Sequence, residues 1–233
     1  MTATTRARVL AACFATSRVL AACFATTRAR VLAACFATAV IACAPPAPRY
    51  PTRLEAPGRY PGAYLLRQHV TVRVGEGGGS LDVVVQKRGD ELVLLGLTPL
   101  GTRAFLLRQR GLAVEHEHYA GPELPFPPVF VLYDVHRALL RPPLPGSGPG
   151  LRRAPPGEEL HEERWTAEGL AERTFRRSDG EPRGVVRIEY APPWAPGTLA
   201  PAQVTIDNPW AGYHLRVETY EAVDLEASEG DAP

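Results

Sequence analysis

From residue 68 to residue 220 apolar side chains recur mostly at every second position, the period of strands that bury one face. Val70, Val72 and Val74 alternate with Thr71 and Arg73, and Leu81, Val83 and Val85 alternate with Asp82 and Gln86. Between them lies GEGGGS at 75–80, a flexible turn by composition, so the two runs predict a hairpin. No helix follows those glycines and no Gly-Lys-Ser/Thr closes them, which sets a phosphate loop aside. Residues 91–97, ELVLLGL, are apolar at odd and even positions alike and predict a central strand covered on both faces. Two more runs, 102–109 and 112–119, extend the meander.

At Pro128 the period changes. Phe130, Leu132, Tyr133, Val135, His136 and Leu139 recur at three and four, with proline in the first turn and Pro142-Pro143 ending the run, so 128–140 predicts a helix. Residues 144–157, LPGSGPGLRRAPPG, read as a loop. Runs at 159–165, 170–176, 183–190, 204–207 and 213–220 predict a second group of strands, with a turn at 208–212 in which Gly212 takes a backbone angle other residues resist. Roughly nine or ten antiparallel strands must curl or expose long edges, and a strongly curled sheet has a hollow side. The expected fold class is mainly β, a curved antiparallel sheet forming an open half-barrel, with the one helix packed as plug or lid over an apolar interior. Residues 43–62, dense in Pro and Gly, read as an extended, poorly ordered tether, and 226–233 as a disordered acidic tail, leaving 63–225 for the domain.

The first 42 residues lack this alternation. RVLAACFAT occurs three times there, starting at Arg8, Arg18 and Arg30, a period too short for a solenoid, so the start reads as a duplicated signal sequence or a start codon set too early. After Arg28 and Arg30 an uncharged run leads to VIAC, a lipobox ending at Cys43. Cys13, Cys23 and Cys35 also close lipobox-like tetrads, but each stands five residues beyond an arginine, short of the ~7 to 15 apolar residues an export signal needs. Residues 1–42 are therefore expected to be a lipoprotein signal peptide, with lipid on Cys43. The run is too short to span a bilayer core of roughly 20 residues, so attachment would come from acyl chains. In bacteria that sort lipoproteins by the residue after the cysteine, Ala44 instead of Asp is what is expected of one forwarded to the outer membrane, so the expected location is its periplasmic face.

Processing changes the charge balance. Taking five arginines and no acid from 26 basic and 25 acidic residues leaves 21 against 25, a net of −4, and with it goes any nucleic-acid footprint. The remaining arginines alternate with acids and read as solvated faces. All four cysteines lie at or before Cys43, so the domain is left without disulfide, thiolate metal site or cysteine nucleophile. His116 and His118 share one strand face, with His161 or Glu163 as conceivable third ligands, yet exposed His and Glu at a strand end need no metal to explain them. Asp134 and His136 are two apart on a helix and diverge, so they form no dyad. No Gly-x-Ser-x-Gly or His-Glu-x-x-His occurs. The chain is expected not to be an enzyme and to need neither metal nor cofactor.

Three stretches carry a resemblance. LLGLTPLGTRAF at 94–105, the helix VFVLYDVHRALLRP and DNPWAGYHL at 207–215 resemble a bacterial lipoprotein family of unknown function, over about residues 67–220. Its members are often encoded beside aryl-polyene or fatty-acid-like biosynthesis genes, and it is similar in architecture to LolA and LolB, the carrier and outer-membrane receptor of lipoproteins. The resemblance implies a lipid-anchored protein that binds or transfers a hydrophobic ligand (an acyl, polyene-lipid or lipoprotein chain), with a periplasmic carrier protein as possible partner. Phe130, Tyr133 and Leu139 on the helix, and Trp210 and Tyr213 near a strand end, are the expected ligand contacts. The other reading is a structural or assembly lipoprotein that binds a protein partner through its sheet edge, its hollow filled by its own side chains.

Overall fold

Each alternating run is a strand, and one more strand lies where a loop was expected. The computed structural model describes Tyr50, residues 52–121 and residues 126–226. The signal peptide, Cys43 and all of the acidic tail except Glu226 lie outside the described residues. Pro48–Pro233 forms one compact unit. Its first arm is β1 (Tyr64–Val74), β2 (Gly77–Arg88), β3 (Glu91–Leu97), β4 (Arg103–Arg110) and β5 (Ala113–His118). Its second arm is β6 (Gly150–Arg153), β7 (Glu159–Trp165), β8 (Leu170–Arg177), β9 (Val186–Trp194), β10 (Gln203–Asn208) and β11 (Tyr213–Asp224).

The strands form a single curved, unclosed antiparallel sheet in the order β5-β4-β3-β2-β1-β11-β10-β9-β8-β7-β6. Each arm is a meander of short connections, and β1 pairs with β11 along the seam between them. Because β5 and β6 are the opposite edges, the chain must cross the sheet to pass from one to the other. It does so with α1 (Val129–Val135), which continues through a π-helical turn at His136–Leu140. The topology thus places the helix across the concave face, where the alternating apolar side chains converge. Leu132 and Leu140 join the core of the first arm, while Phe130 and Ala138 join that of the second.

Four expectations need correction. Residues 150–153 form β6 against β7, since Gly-Leu-Arg-Arg meets a partner strand that supplies the hydrogen bonds a proline-flanked segment cannot supply itself. The glycines of the β1–β2 hairpin are mostly strand. The turn is only Gly75-Glu76, with Gly75 at φ +57°, and Val74 already faces Gly77 across the ladder. The central strand β3 buries Leu92 and Leu94 on one face only. On the other face Val84, Leu95 and Leu106 stand side by side and shade one another to half-burial, with no further layer among the described residues.

The presumed tether is the fourth. Tyr50 and Tyr60 are buried, and the segment between them is strapped to both arms. Thr52 accepts a hydrogen bond from Arg137, Arg53 lies 3.7 Å from Glu158, the Glu55 carbonyl accepts from Gln109 at 2.7 Å, and Gly58 N–H donates to Asp90 at 2.9 Å. Proline and glycine signal the absence of regular structure, which here is not the absence of order. The two tyrosines supply the burial that offsets the entropy of fixing the strap.

Candidate functional site

Between α1 and the sheet lies an apolar hollow. Its floor is the inward row of the central strands, with Val70 and Val72 on β1, Leu81 and Val83 on β2, Ile206 on β10 and Leu215 on β11; its roof is Val131, Val135, Ala138 and Leu139 of the helix. The space is about 70 Å³. Gln68 and Asp134 are the polar side chains in its wall, and both are occupied elsewhere. Gln68 donates to Thr219, while Asp134 accepts from Arg137, Asn208 and Tyr213. Every other side chain of the wall is apolar, so the space suits hydrocarbon.

The roof's polar residues Asp134, His136 and Arg137 are buried and must therefore find partners inside the protein. Arg137 donates to Tyr50 Oη at 2.6 Å, to Asp134 at 3.1 Å and to Glu159. Tyr50 stacks on Tyr133 at 4.1 Å and meets Phe130 edge-on at 4.9 Å. Asn208 ties this cluster to the β10–β11 turn. Its Nδ2 donates to Tyr50 and Asp134 while its Oδ1 accepts from the N–H groups of Trp210 and Ala211, and Gly212 beyond them has φ +75°. Burial first, and then the Asp134 charge, raise the Tyr213 hydroxyl's pKa well above its ordinary value, so it stays a donor to that carboxylate.

The π-turn creates a second requirement, because the last carbonyls of a helix lack partners within it. Arg173 on β8 donates to the Arg137 carbonyl at 2.6 Å, and Tyr190 on β9 donates to that of Ala138 at 2.9 Å. Arg173 is in turn neutralised by Glu163, which also accepts from Trp165 and from the Leu144 N–H. Burial pushes the Glu163 carboxyl up, but His161, Arg173 and these donors outweigh it and bring it down to about 2. On the other side His136 shares a 2.8 Å hydrogen bond with Gln109 Oε1. Gln109 spends its own N–H groups on the Glu55 and Gly111 carbonyls, so His136 donates from Nε2 and is left with a bare Nδ1. Burial chiefly, with Arg141 and Arg137, brings this imidazole down to about 4.

Of the five side chains expected to touch a ligand, Leu139 lines the hollow. Phe130, Tyr133, Trp210 and Tyr213 do not; they gather around Tyr50 and Arg137, with Trp210 6.2 Å from the Tyr50 ring. The buried arginines correct the expectation of solvated faces, since Arg137 and Arg173 are among the largest fully buried side chains. Sequence reasoning missed Tyr50, Asn208 and Arg173. An arginine in an alternating strand carries no local mark of burial, although the Asn-Pro-Trp turn was visible. Asp134 and His136 do diverge, to Arg137 and Gln109 respectively. His161 and Glu163 sit together on β7, in the arm opposite His116 and His118, and His161 stacks on Phe175 at 4.5 Å instead of completing a metal site with them.

No curated protein matches the chain. Among solved structures it is similar to a LolA superfamily protein of Nitrosomonas europaea, with TM-score 0.40 and 8% identity over 74% of this chain and 88% of that one. It is also similar to an outer membrane lipoprotein-sorting protein domain of Vibrio parahaemolyticus (TM-score 0.38, 8% identity, 70% and 86% covered) and to a DUF1329 family protein of Desulfovibrio piger (TM-score 0.37, 10% identity, 70% and 86% covered). The model of the family described as "Protein of unknown function (DUF3261)" matches residues 65–221, from within β1 to within β11, and the chain belongs to that family.

Proposed function

We propose that the protein is a lipid-anchored carrier or receptor at the periplasmic face of the outer membrane, holding a hydrocarbon chain of a lipid or lipoprotein between α1 and the sheet. The observation that carries this reading is the hollow itself, an apolar space whose polar wall residues are both engaged. Val131, Val135 and Leu139 would touch the guest. Phe130, Tyr133, Trp210 and Tyr213 would act one step away by holding the roof. A guest larger than this 70 Å³ requires α1 to ride outward against the bonds that tie it to Tyr50, Glu159, Arg173, Tyr190 and Gln109.

The anchor would be Cys43, with residues 1–42 removed. Three acyl chains would hold it, each buried methylene contributing about 0.8 kcal/mol. Six residues lie between Cys43 and Tyr50, a reach of at most roughly 25 Å, which keeps the domain beside the bilayer. The assembly alternative finds less support. Strand β5 is short and points Glu115 and Glu117 outward, and β6 carries Arg152 and Arg153, features that discourage strand addition at an edge.

The reading is tested with protein starting at Ala44, which contains the whole compact unit. Long-chain lipid should co-purify, detectable by mass spectrometry, and a fluorescent fatty acid should be taken up. Val135→Trp, which puts bulk into the hollow, should reduce uptake severalfold with the far-UV circular dichroism unchanged. A protein that extracts without lipid and takes up no fatty acid ends the proposal.

A further inference from the structure

A wider space adjoins the hollow, and its walls are unlike the interior. This second space of about 670 Å³ opens beside the top of the β1–β2 hairpin and shares Val72, Leu81 and Phe105 with the hollow under α1. Along β2 the inward positions run Val85, Val83, Leu81, Gly79, Gly77, the last two facing Val72 and Val74 across the ladder. Where side chains would close the space, there are none. A Cβ built on Gly79 meets nothing within 4 Å. On the facing wall Phe105 lies over Gly96, whose Cβ would come within 2.4 Å of the ring, so Phe105 is held flat instead of standing across the passage.

The rim is polar. His116 and His118 stand opposite Leu107 and Phe105, both inward residues, so the two imidazoles point to the same side of the sheet. Neither has a hydrogen-bond partner among the described residues. Ser80 and Thr98 complete the polar lining, and no carboxylate lies in the wall of this mouth among the described residues, because Glu115 and Glu117 point to the opposite face.

We infer that this mouth is the portal for the ligand and its head-group end: the hydrocarbon enters over Gly77 and Gly79, and an anionic carboxylate or phosphate head stays at the rim against His116 and His118. The inference rests on the acyl-chain reading above and narrows it to amphiphiles with an anionic head. The bare strand end explains how a chain passes, and the N–H and O–H donors of the rim, which holds no carboxylate among the described residues, explain which head it favours.

The test uses the chain expressed from its full coding sequence and held in lipid nanodiscs. It is photolabelled with three diazirine-bearing probes of equal chain length, a fatty acid, an alkyl phosphate and an alkylammonium, with adducts mapped by mass spectrometry. The acid or the phosphate should label residues under α1 more than the ammonium does, and the stronger of the two identifies the head. Gly79→Leu should cut that labelling about tenfold, while Gly79→Ser preserves it. His116→Ala with His118→Ala should reduce the anionic probes about tenfold, the worth of one charge-assisted hydrogen bond, and leave the ammonium unchanged. Labelling under α1 that ignores both head charge and Gly79→Leu overturns the portal and leaves the carrier reading standing. No labelling under α1 by any probe overturns both.

Discussion

Arg137 sits in the protein interior with its charge intact because Asp134, Glu159 and the Tyr50 hydroxyl surround it. Removing one member of such a cluster strands the others without water. Arg137→Ala should therefore cost about 3 to 5 kcal/mol in urea unfolding, far more than the loss of an exposed pair such as Arg67–Glu221, worth roughly 0 to 1 kcal/mol. His136 makes a prediction in pH. Its folded pKa of about 4 lies below the ordinary 6.5, so the unfolded chain takes up the proton first. The stabilisation is complete above pH 6.5, declines as the pH falls toward 4, and amounts to at most about 3 kcal/mol. His161, lowered chiefly by burial, acts in the same sense. Glu163, held at about 2 against an ordinary 4.5, adds a further loss below pH 4.5. Asp134, whose carboxyl is raised chiefly by burial, acts in the opposite sense, so the His136 contribution shows as a difference: between pH 6.5 and 4 the parent's urea midpoint should fall more than that of His136→Gln, and below pH 4 the two should run parallel.

The elements are held by different devices. Strands β3 and β4 meet where Phe105 covers Gly96, and a methyl there would drive into the ring; Gly96→Ala should cost about 1 to 3 kcal/mol by thermal unfolding. The helix is short and has no side-chain cap at its N-terminus, so its order comes from its surroundings. The strap at 50–60 supplies part of these through Tyr50, Thr52 and the Glu55 carbonyl. Protein truncated to begin at Gly62 should keep its sheet but show faster amide exchange in residues 129–140, with Arg137 and Gln109 short of partners. Unchanged protection there would mean that the strap is incidental to the roof.

At the scale of the molecule, the strap follows closely on the cysteine proposed to carry lipid, so roof and anchor are neighbours along the chain. If Cys43 is the lipidated residue, Cys43→Ser should move the protein out of the outer-membrane fraction, and globomycin should leave an unprocessed precursor of the parent chain. An unchanged distribution in both experiments would remove the anchor from the proposal without touching the hollow.

The alternation of side chains was enough to place ten of the eleven strands, the hairpins and the crossing helix, because each is decided by neighbours two or four residues away. The curled, one-helix architecture followed from the same pattern. The sequence did not reveal that the Pro-rich segment packs, that Arg137 and Arg173 lie inside, or that four of the five expected ligand contacts cluster on Tyr50. Those outcomes depend on which strand ends meet once the sheet curls, bringing Tyr50 to Asn208 and Glu159 to Arg137 across long stretches of chain. Local periodicity records which face a residue takes, whereas its partner across the hollow is set only when the two arms close around the helix.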